Sequence, residues 1–291
     1  MSKLNNSIIS VITLFLMNCS QPKTIDIQGH RGCRGLFPEN SIEAFKKAIE
    51  LGVNTLELDV VVSKDNYVVV SHEPFMNPVI CLDEQGKEIK DVDKLNYNLY
   101  QMTFDSIKQF DCGSKLNTRF PEQENIRTYK PSLDEVIRVS KDLNPGIKFN
   151  IELKTEPELY GVFTPHPHEF VSLVLKVIND NDVFENSNLQ SFDLQTLEEI
   201  KKQSPKMKIA LLVDEYETIS IKLGELSFKP EIISPYFQLL TKESVKKYQK
   251  EGFMVIPWTV NNIEEMNHMI DFNVDGIITD FPERLINLCK K

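Results

Sequence analysis

Gly29-His30-Arg31-Gly32, Thr55-Leu56-Glu57-Leu58-Asp59-Val60 and Ser71-His72-Glu73 decide how this chain reads. Residues 24–28 form a short apolar run with strand character, and it delivers a histidine and an arginine. About one helix later comes a second strand with carboxylates at alternate positions. Residues two apart on a strand share a face, so Glu57 and Asp59 project together while Leu56, Leu58 and Val60 project the other way. A third run, 67–72, follows the turn residues Lys64-Asp65-Asn66 and ends on His72. Residues 149–154 repeat the pattern, with Glu152 and Lys154 on one face and Ile151 and Leu153 on the other. Two histidines, an arginine and several acids converging on strand ends point to metal-assisted phosphate chemistry.

Outward from these runs, the chain alternates strand and helix without a repeat or a low-complexity segment. The pattern predicts helices over 42–51, 132–143, 169–179, 195–203, 241–251, 263–272 and 282–289. The helix at 42 is capped by Asn40-Ser41 and stopped by Gly52. Further strands are expected over 55–63, 188–192, 208–213, 231–236, 254–260 and 276–279. Such alternation favours parallel βα units. A (β/α)8 TIM barrel, with the polar, turn-rich residues 74–130 as a small inserted subdomain after the second barrel strand, is the economical architecture. An open doubly wound sheet would want a glycine-rich phosphate loop after the first strand, which Gly29-His30-Arg31-Gly32-Cys33 does not supply. The barrel also demands reactive residues at strand C-termini. His30 and Arg31, Glu57 and Asp59, His72, and Glu152 and Lys154 all meet that demand.

The chain has 291 residues, 41% of them hydrophobic, which is enough for a substantial core. Its 33 basic and 43 acidic side chains leave a net charge of −10 and argue against nucleic acid as a partner. A local cationic pocket is compatible with that total. The first nineteen residues read as a targeting segment. Lys3 precedes an apolar run, 8–17, that is too short to span a bilayer. Cys19 follows, then Ser20-Gln21-Pro22-Lys23, an arrangement that resembles a bacterial lipoprotein signal. On that reading residues 1–18 are removed, Cys19 is lipidated and 19–24 form a tether. The barrel, 25–289, is then exported and membrane-anchored, facing the periplasm or cell exterior; an ordinary cleaved signal is the alternative. No CxxC pair or Cys/His cluster suggests a thiolate metal site. Cys81 and Cys112 either bridge or remain buried thiols.

The residues already quoted carry a family resemblance. Joined to Pro38-Glu39-Asn40-Ser41, Tyr129-Lys130-Pro131-Ser132-Leu133-Asp134-Glu135-Val136, Ser191-Phe192-Asp193 and Trp258-Thr259-Val260-Asn261, they resemble the glycerophosphodiester phosphodiesterases. The resemblance spans about residues 25–288, nearly the whole mature chain, and implies a TIM barrel with an insertion where 74–130 lies. It implies hydrolysis of a small glycerophosphodiester to glycerol 3-phosphate and an alcohol. His30 and His72 then flank the phosphorus as acid and base, and Arg31 and Lys154 hold phosphate oxygens. Glu57, Asp59 and Glu152 form an all-oxygen set suited to one divalent metal ion, Ca2+ or Mg2+. Glu39, Phe192 and Trp258 are candidates for the substrate pocket, with a turn anchor and core packing as their bland readings. Cys33 departs from the small residue usual at its position but removes no reacting group. His166, His168 and His268 read as loop or surface residues, and Asp65, Asp193 and Asp280 have no assigned role. The attacking group is either water or the glycerol's own hydroxyl. The rival functions are a phospholipase C- or D-like phosphodiesterase acting on intact lipids and a non-catalytic solute-binding lipoprotein. Retention of both histidines and all three acids argues against the latter.

Overall fold

Strand β1 (Asp26–Gly29) is four residues long, and its neighbours are set by where the chain can return in parallel. The computed structural model describes residues 24–290; the proposed signal, 1–18, and Cys19 lie outside them. After β1 come β2 (Thr55–Val62), β3 (Val68–Val70), β4 (Lys148–Leu153), β5 (Ser187–Ser191), β6 (Lys208–Val213), β7 (Ile232–Pro235), β8 (Met254–Val255) and β9 (Gly276–Thr279). The sheet order is β8-β7-β6-β5-β4-β2-β1-β9, with every neighbouring pair parallel. The Asp275 N–H donates to the Val255 carbonyl at 2.9 Å, Ile278 to Pro257 at 3.0 Å and Val260 to Ile278 at 3.0 Å. These bonds join the two ends of the order and close an eight-stranded barrel, as the alternation predicted. β3 stands apart, folded back antiparallel on β2 as a hairpin.

The helices are α1 (Ile42–Leu51), α2 (Phe104–Ile107), α3 (Leu133–Leu143), α4 (Pro167–Asp180), α5 (Leu194–Gln203), α6 (Ile219–Glu225), α7 (Lys242–Lys250), α8 (Ile263–Asp271) and α9 (Pro282–Cys289). Their ends follow local chemistry. The Ser41 hydroxyl accepts from the Ala44 N–H at 3.1 Å, and Gly52 stops α1 in the left-handed region at φ 99°. Ser132 and Glu135 form a reciprocal capping box at the start of α3. Outside the β2–β3 hairpin and the insertion, two elements differ most from expectation. The strand expected over 254–260 is only Met254–Val255, because Pro257 has no N–H to continue the ladder. Helix α6 was not foreseen; its apolar contribution to the core is small, with Ile219 buried and Ile221 exposed.

Leu56, Leu58, Val60, Ile151 and Leu153 face outward into the layer under the helices, where they pack with Phe45, Val136 and Phe170. The barrel interior divides in two. On one side the Asn150 side-chain amide donates to Gln28 Oε1 at 2.9 Å, and Asn188 donates to Asn150 Oδ1 at 2.6 Å. On the other side Ala210, Ile232, Ile256 and Ile278 form a small apolar plug. Polar interior groups thus collect along β1, β2, β4 and β5, the strands that carry the acids.

Between β3 and α3 the chain leaves the barrel and buries a cluster of its own. Met76, Leu99, Ile107 and Phe110 pack on Val61 and Val69, on the face of the β2–β3 hairpin opposite the helix layer and shared with Asp59. Cys81 and Cys112, 31 residues apart, are joined by a disulfide within this cluster. The far end is tied to the loop after β1: the Gln123 side-chain amide donates to the carbonyls of Arg34 at 2.7 Å and Phe37 at 2.9 Å. Replacing Cys81 and Cys112 together by serine is expected to lower stability by about 3–4 kcal/mol, by loop-closure entropy in the unfolded chain. Urea unfolding measures that loss, and circular dichroism should show the barrel's secondary structure retained.

Candidate active site

The site begins in the turn that follows β1. A side chain at Gly29 would place its Cβ 2.0 Å from the Gly32 carbonyl oxygen. Gly32 has φ 89°, and a Cβ there would lie 2.8 Å from Ala44 of α1. Both positions therefore require glycine. Between them Arg31 adopts φ 51°, a conformation that non-glycine residues hold only when their surroundings impose it. Two bonds impose it here. The Arg31 N–H donates to Glu57 Oε2 at 3.0 Å, and its carbonyl accepts from the Asn40 N–H at 3.0 Å.

Parallel register places Asp59 beside Glu152, with Glu57 two residues below on the same face of β2. One carboxylate oxygen from each of the three lies within 4.8 Å of the others, and all three residues are buried. Crowding is relieved by neighbours of complementary charge and hydrogen-bonding character. Arg31 Nε lies 3.1 Å from Asp59 Oδ2, Lys154 Nζ donates to Glu152 Oε1 at 2.7 Å, and the Gln190 amide donates to Glu57 Oε1 at 2.9 Å. Asn40 also donates to Asp59 Oδ2 at 2.9 Å, yet Asp59 Oδ1 is buried without a partner. Burial pushes Glu57 well above the usual carboxylate range, and the charges of Asp59 and Glu152 push it further. Burial likewise carries Glu152 up to about 7, with Lys154 opposing and Asp59 assisting. Burial would raise Asp59 too, but Arg31 and then His72 and Lys154 outweigh it and hold that carboxyl well below its ordinary range. A buried acceptor without a donor, within a set of three close carboxylates, is the environment a hard cation satisfies.

Each histidine has a carboxylate behind it. His30 Nδ1 donates to Asp280 Oδ1 at 2.6 Å, and its Nε2 lies 3.8 Å from Glu57 Oε2. Asp280 also receives Arg34 Nε at 2.9 Å, Arg34 Nη2 at 3.1 Å and the Asn261 amide at 2.7 Å. Burial, then the charge of Arg34, pushes His30 down to about 4, against the pull of Asp280. His72 Nδ1 pairs with Glu73 Oε1 at 2.9 Å, and burial followed by Arg31 and Lys154 lowers its pKa as well. In this arrangement the imidazoles are neutral near pH 7, each with Nδ1 on a carboxylate and Nε2 turned away from it.

These groups meet in a cleft of about 350 Å3 at the C-terminal end of the barrel. His30, Arg31, Glu57, His72, Glu152, Lys154, Phe192 and Trp258 all line it, beside Arg34, Arg119 and Gln190. Phe192 and Trp258 meet edge to face at 5.5 Å and form one wall. Glu39 lies behind the cleft, accepting from Arg31 Nη1 at 2.6 Å and sitting 3.6 Å from Arg34. A wider groove of about 780 Å3 continues past His72, Lys154 and Phe192, between the loops after β4, β5 and β6. His168 is exposed and pairs with Glu199, and His268 stacks on Phe272, both away from the cleft. Sequence reasoning missed Asp280, Arg34, Gln190 and Arg119. Asp280 carried a usable signal, since it directly follows the last strand, which barrel closure puts beside β1. Arg119 carried none.

Residues 30–284 match the glycerophosphoryl diester phosphodiesterase family, so the chain belongs to it. A glycerophosphodiester phosphodiesterase of Caldanaerobacter subterraneus is 34% identical over 92% of this chain and 99% of its own length. A crystal structure from Silicibacter pomeroyi, described as a glycerophosphoryl diester phosphodiesterase, superposes with a TM-score of 0.83. It is 28% identical and covers 92% of this chain and 95% of its own. An Oleispira antarctica phosphodiesterase, solved with the product sn-glycerol 3-phosphate, shares the fold at a TM-score of 0.73 and 20% identity. That match covers 91% of this chain and 97% of the other.

The raised carboxylates make stability depend on pH in a defined direction. Glu152 in the unfolded chain ionises near the ordinary carboxyl value of 4.5, but in the folded protein only at about 7. The folded state therefore binds the proton more tightly, and the stabilisation present below pH 4.5 is lost as pH rises towards 7. Metal-stripped protein should accordingly lose stability over that window, and Glu152→Gln should flatten the decline. Urea midpoints measured at intervals of pH test both; equal slopes in the two proteins would contradict the assignment.

Proposed function

We propose that this member of the family hydrolyses glycerophosphodiesters to sn-glycerol 3-phosphate and an alcohol, with His30 and His72 as the acid–base pair. The observation that carries this reading is the pairing, in one cleft, of two carboxylate-backed histidines with three buried acids. One neutral imidazole accepts the proton of the attacking hydroxyl through Nε2; the other takes up a proton from solvent as the anionic phosphodiester binds beside it and gives that proton to the departing alcohol oxygen. Asp280 and Glu73 fix the ring orientations and favour the imidazolium once it forms. Arg31 commits Nη1 to Glu39 and lies with Nε in an ion pair against Asp59, which leaves Nη2 for a phosphoryl oxygen, and Lys154 supplies a point charge on the other side. Phe192 and Trp258 wall the pocket, and Glu39 braces Arg31 rather than touching substrate.

Glu57, Asp59 and Glu152 would hold one divalent ion, Ca2+ or Mg2+, and the partnerless Asp59 Oδ1 suits that role. Such an ion neutralises charge on the phosphoryl group and lowers the pKa of the attacking hydroxyl. The product found with the Oleispira relative supports glycerol 3-phosphate as the common product. The apolar run before Cys19 and the polar stretch after it support an exported lipoprotein, cleaved after residue 18 and anchored by lipid at Cys19. Phosphodiester hydrolysis would then take place outside the cytoplasmic membrane.

Glycerophosphocholine should be hydrolysed in the presence of Ca2+ or Mg2+, and intact phospholipid should not. His30→Ala and His72→Ala should each lower turnover by about a hundredfold or more with the fold preserved. Chelation should abolish activity and added metal restore it; full activity in protein shown metal-free by elemental analysis would overturn the metal assignment. For placement, Cys19→Ser should yield soluble active enzyme or an unprocessed precursor. Fractionation and processing like the wild type would refute the lipid anchor while leaving the chemistry intact.

A further inference from the structure

Among the described residues, three of the four Arg and Lys side chains lining the catalytic cleft are paired with carboxylates. Arg31 is held by Glu39 and Asp59, Arg34 by Asp280, and Lys154 by Glu152. Arg119 is the exception. It faces the same cleft, yet its guanidinium has no carboxylate partner and donates no hydrogen bond to a described residue.

Its position is nevertheless built. The Arg119 guanidinium stands 5.4 Å from the Phe120 ring, and Arg34 stands 5.0 Å from the same ring. Phe120 is buried and meets Phe281, next to Asp280, edge to face at 6.1 Å. The Arg119 N–H donates to Asn117 Oδ1 at 3.1 Å, and Gln123 ties the segment to the carbonyls of Arg34 and Phe37. The excursion between β3 and α3 is thus fastened at the point where it delivers this side chain. Arg119 is itself an exposed residue; partial desolvation and the like charge of Arg34 lower its pKa, with nearby Asp280 and Glu39 opposing them. Because the guanidinium is exposed and lines the cleft, it can meet an anion there without breaking an existing ion pair.

We propose that Arg119 is a substrate-recognising residue, brought to the cleft by the insertion to pair with the anionic phosphoryl group of the ligand. The proposal rests on the phosphodiesterase reading for the identity of that ligand. The cleft floor is carboxylate-rich and each of its other cations already faces a carboxylate, so Arg119 adds a charge to those of Arg31 and Lys154 that no ion pair among the described residues offsets. A guanidinium fork matches two phosphoryl oxygens. A phosphodiester carries one negative charge, whereas the monoester product carries close to two at neutral pH. The same arginine therefore holds the product more strongly than the substrate.

The test uses the full chain supplied with Ca2+ or Mg2+, as wild type, Arg119→Gln, Arg119→Lys and Arg127→Gln. Arg127 is an exposed cation of the same segment that does not line the cleft. Kinetics with glycerophosphoethanolamine give KM and kcat, and calorimetry gives the Kd of sn-glycerol 3-phosphate. Arg119→Gln should raise KM about tenfold, with a smaller change in kcat, and raise that Kd by a larger factor, up to about a hundredfold. Arg119→Lys should fall between, and Arg127→Gln should match the wild type. The proposal is overturned if Arg119→Gln leaves Kd within about twofold of the wild type, if Arg127→Gln causes an equal loss, or if the wild type binds no glycerol 3-phosphate. A wild type that binds it through Arg119 but hydrolyses no glycerophosphodiester would refute the phosphodiesterase reading and leave the anion site standing.

Discussion

Three buried carboxylates on two adjacent strands are the constraint around which the rest of this structure is arranged. Parallel register puts Asp59 level with Glu152, and the two-residue strand period adds Glu57 on the same face. Uncompensated acids at this spacing destabilise the fold by mutual repulsion and lost hydration. Arg31 answers from the turn after β1, which explains why that turn tolerates a left-handed arginine and two glycines with no room for a Cβ. Lys154 answers from the end of β4, and Gln190 from β5. What these neighbours leave unanswered is Asp59 Oδ1, and the raised affinity of Glu57 and Glu152 for protons. A site so under-neutralised stores a preference for positive charge, the same property that a phosphate-handling metal centre needs.

The barrel supports this chemistry by dividing its interior. Gln28, Asn150 and Asn188 satisfy one another in a hydrogen-bonded row beneath the acids, so the polar side of the interior has its partners within reach. The opposite side is closed by Ala210, Ile232, Ile256 and Ile278. Low polarity there and a buried floor also act on His30, whose imidazolium is disfavoured by burial before any charge is considered. Histidine neutrality at pH 7 is thus a product of packing as much as of neighbouring cations.

How much of this was legible in the sequence depends on whether the signal was local. Alternation along β2 and β4 identified Glu57, Asp59, Glu152 and Lys154 as inward groups without any knowledge of contacts. Helix α1 was readable to the residue, because Ser41 and Gly52 punctuate it with local chemistry. Helix α6 escaped because its seven residues show too little periodicity to announce themselves. The strand expected over 254–260 was overextended because an apolar run says nothing about whether Pro257 can join a ladder. The pairing of Cys81 with Cys112 stayed open because it depends on how an irregular segment folds. Arg119 and Arg34 belong to the same class: Arg119 reaches the cleft through docking of the insertion on the loop after β1, a contact between segments nearly ninety residues apart, and Arg34 meets Asp280 only through barrel closure.

Asp280 shows most directly how tertiary closure and chemistry are linked here. It lies one residue beyond the final strand, about 250 residues from the histidine it supports. Only because β9 pairs in parallel with β1 do the two strand ends arrive side by side, with the His30 N–H donating to the Thr279 carbonyl at 2.9 Å. The carboxylate then gathers His30, both arms of Arg34 and Asn261. Through Arg34 it reaches Phe120 of the insertion, and through Asn261 the loop after β8. The last strand, the first strand, the insertion and the preceding loop thus share one anionic hub. A histidine oriented in this way is in place only when the barrel has closed, so the His30–Asp280 pair is assembled by the same contact that completes the fold.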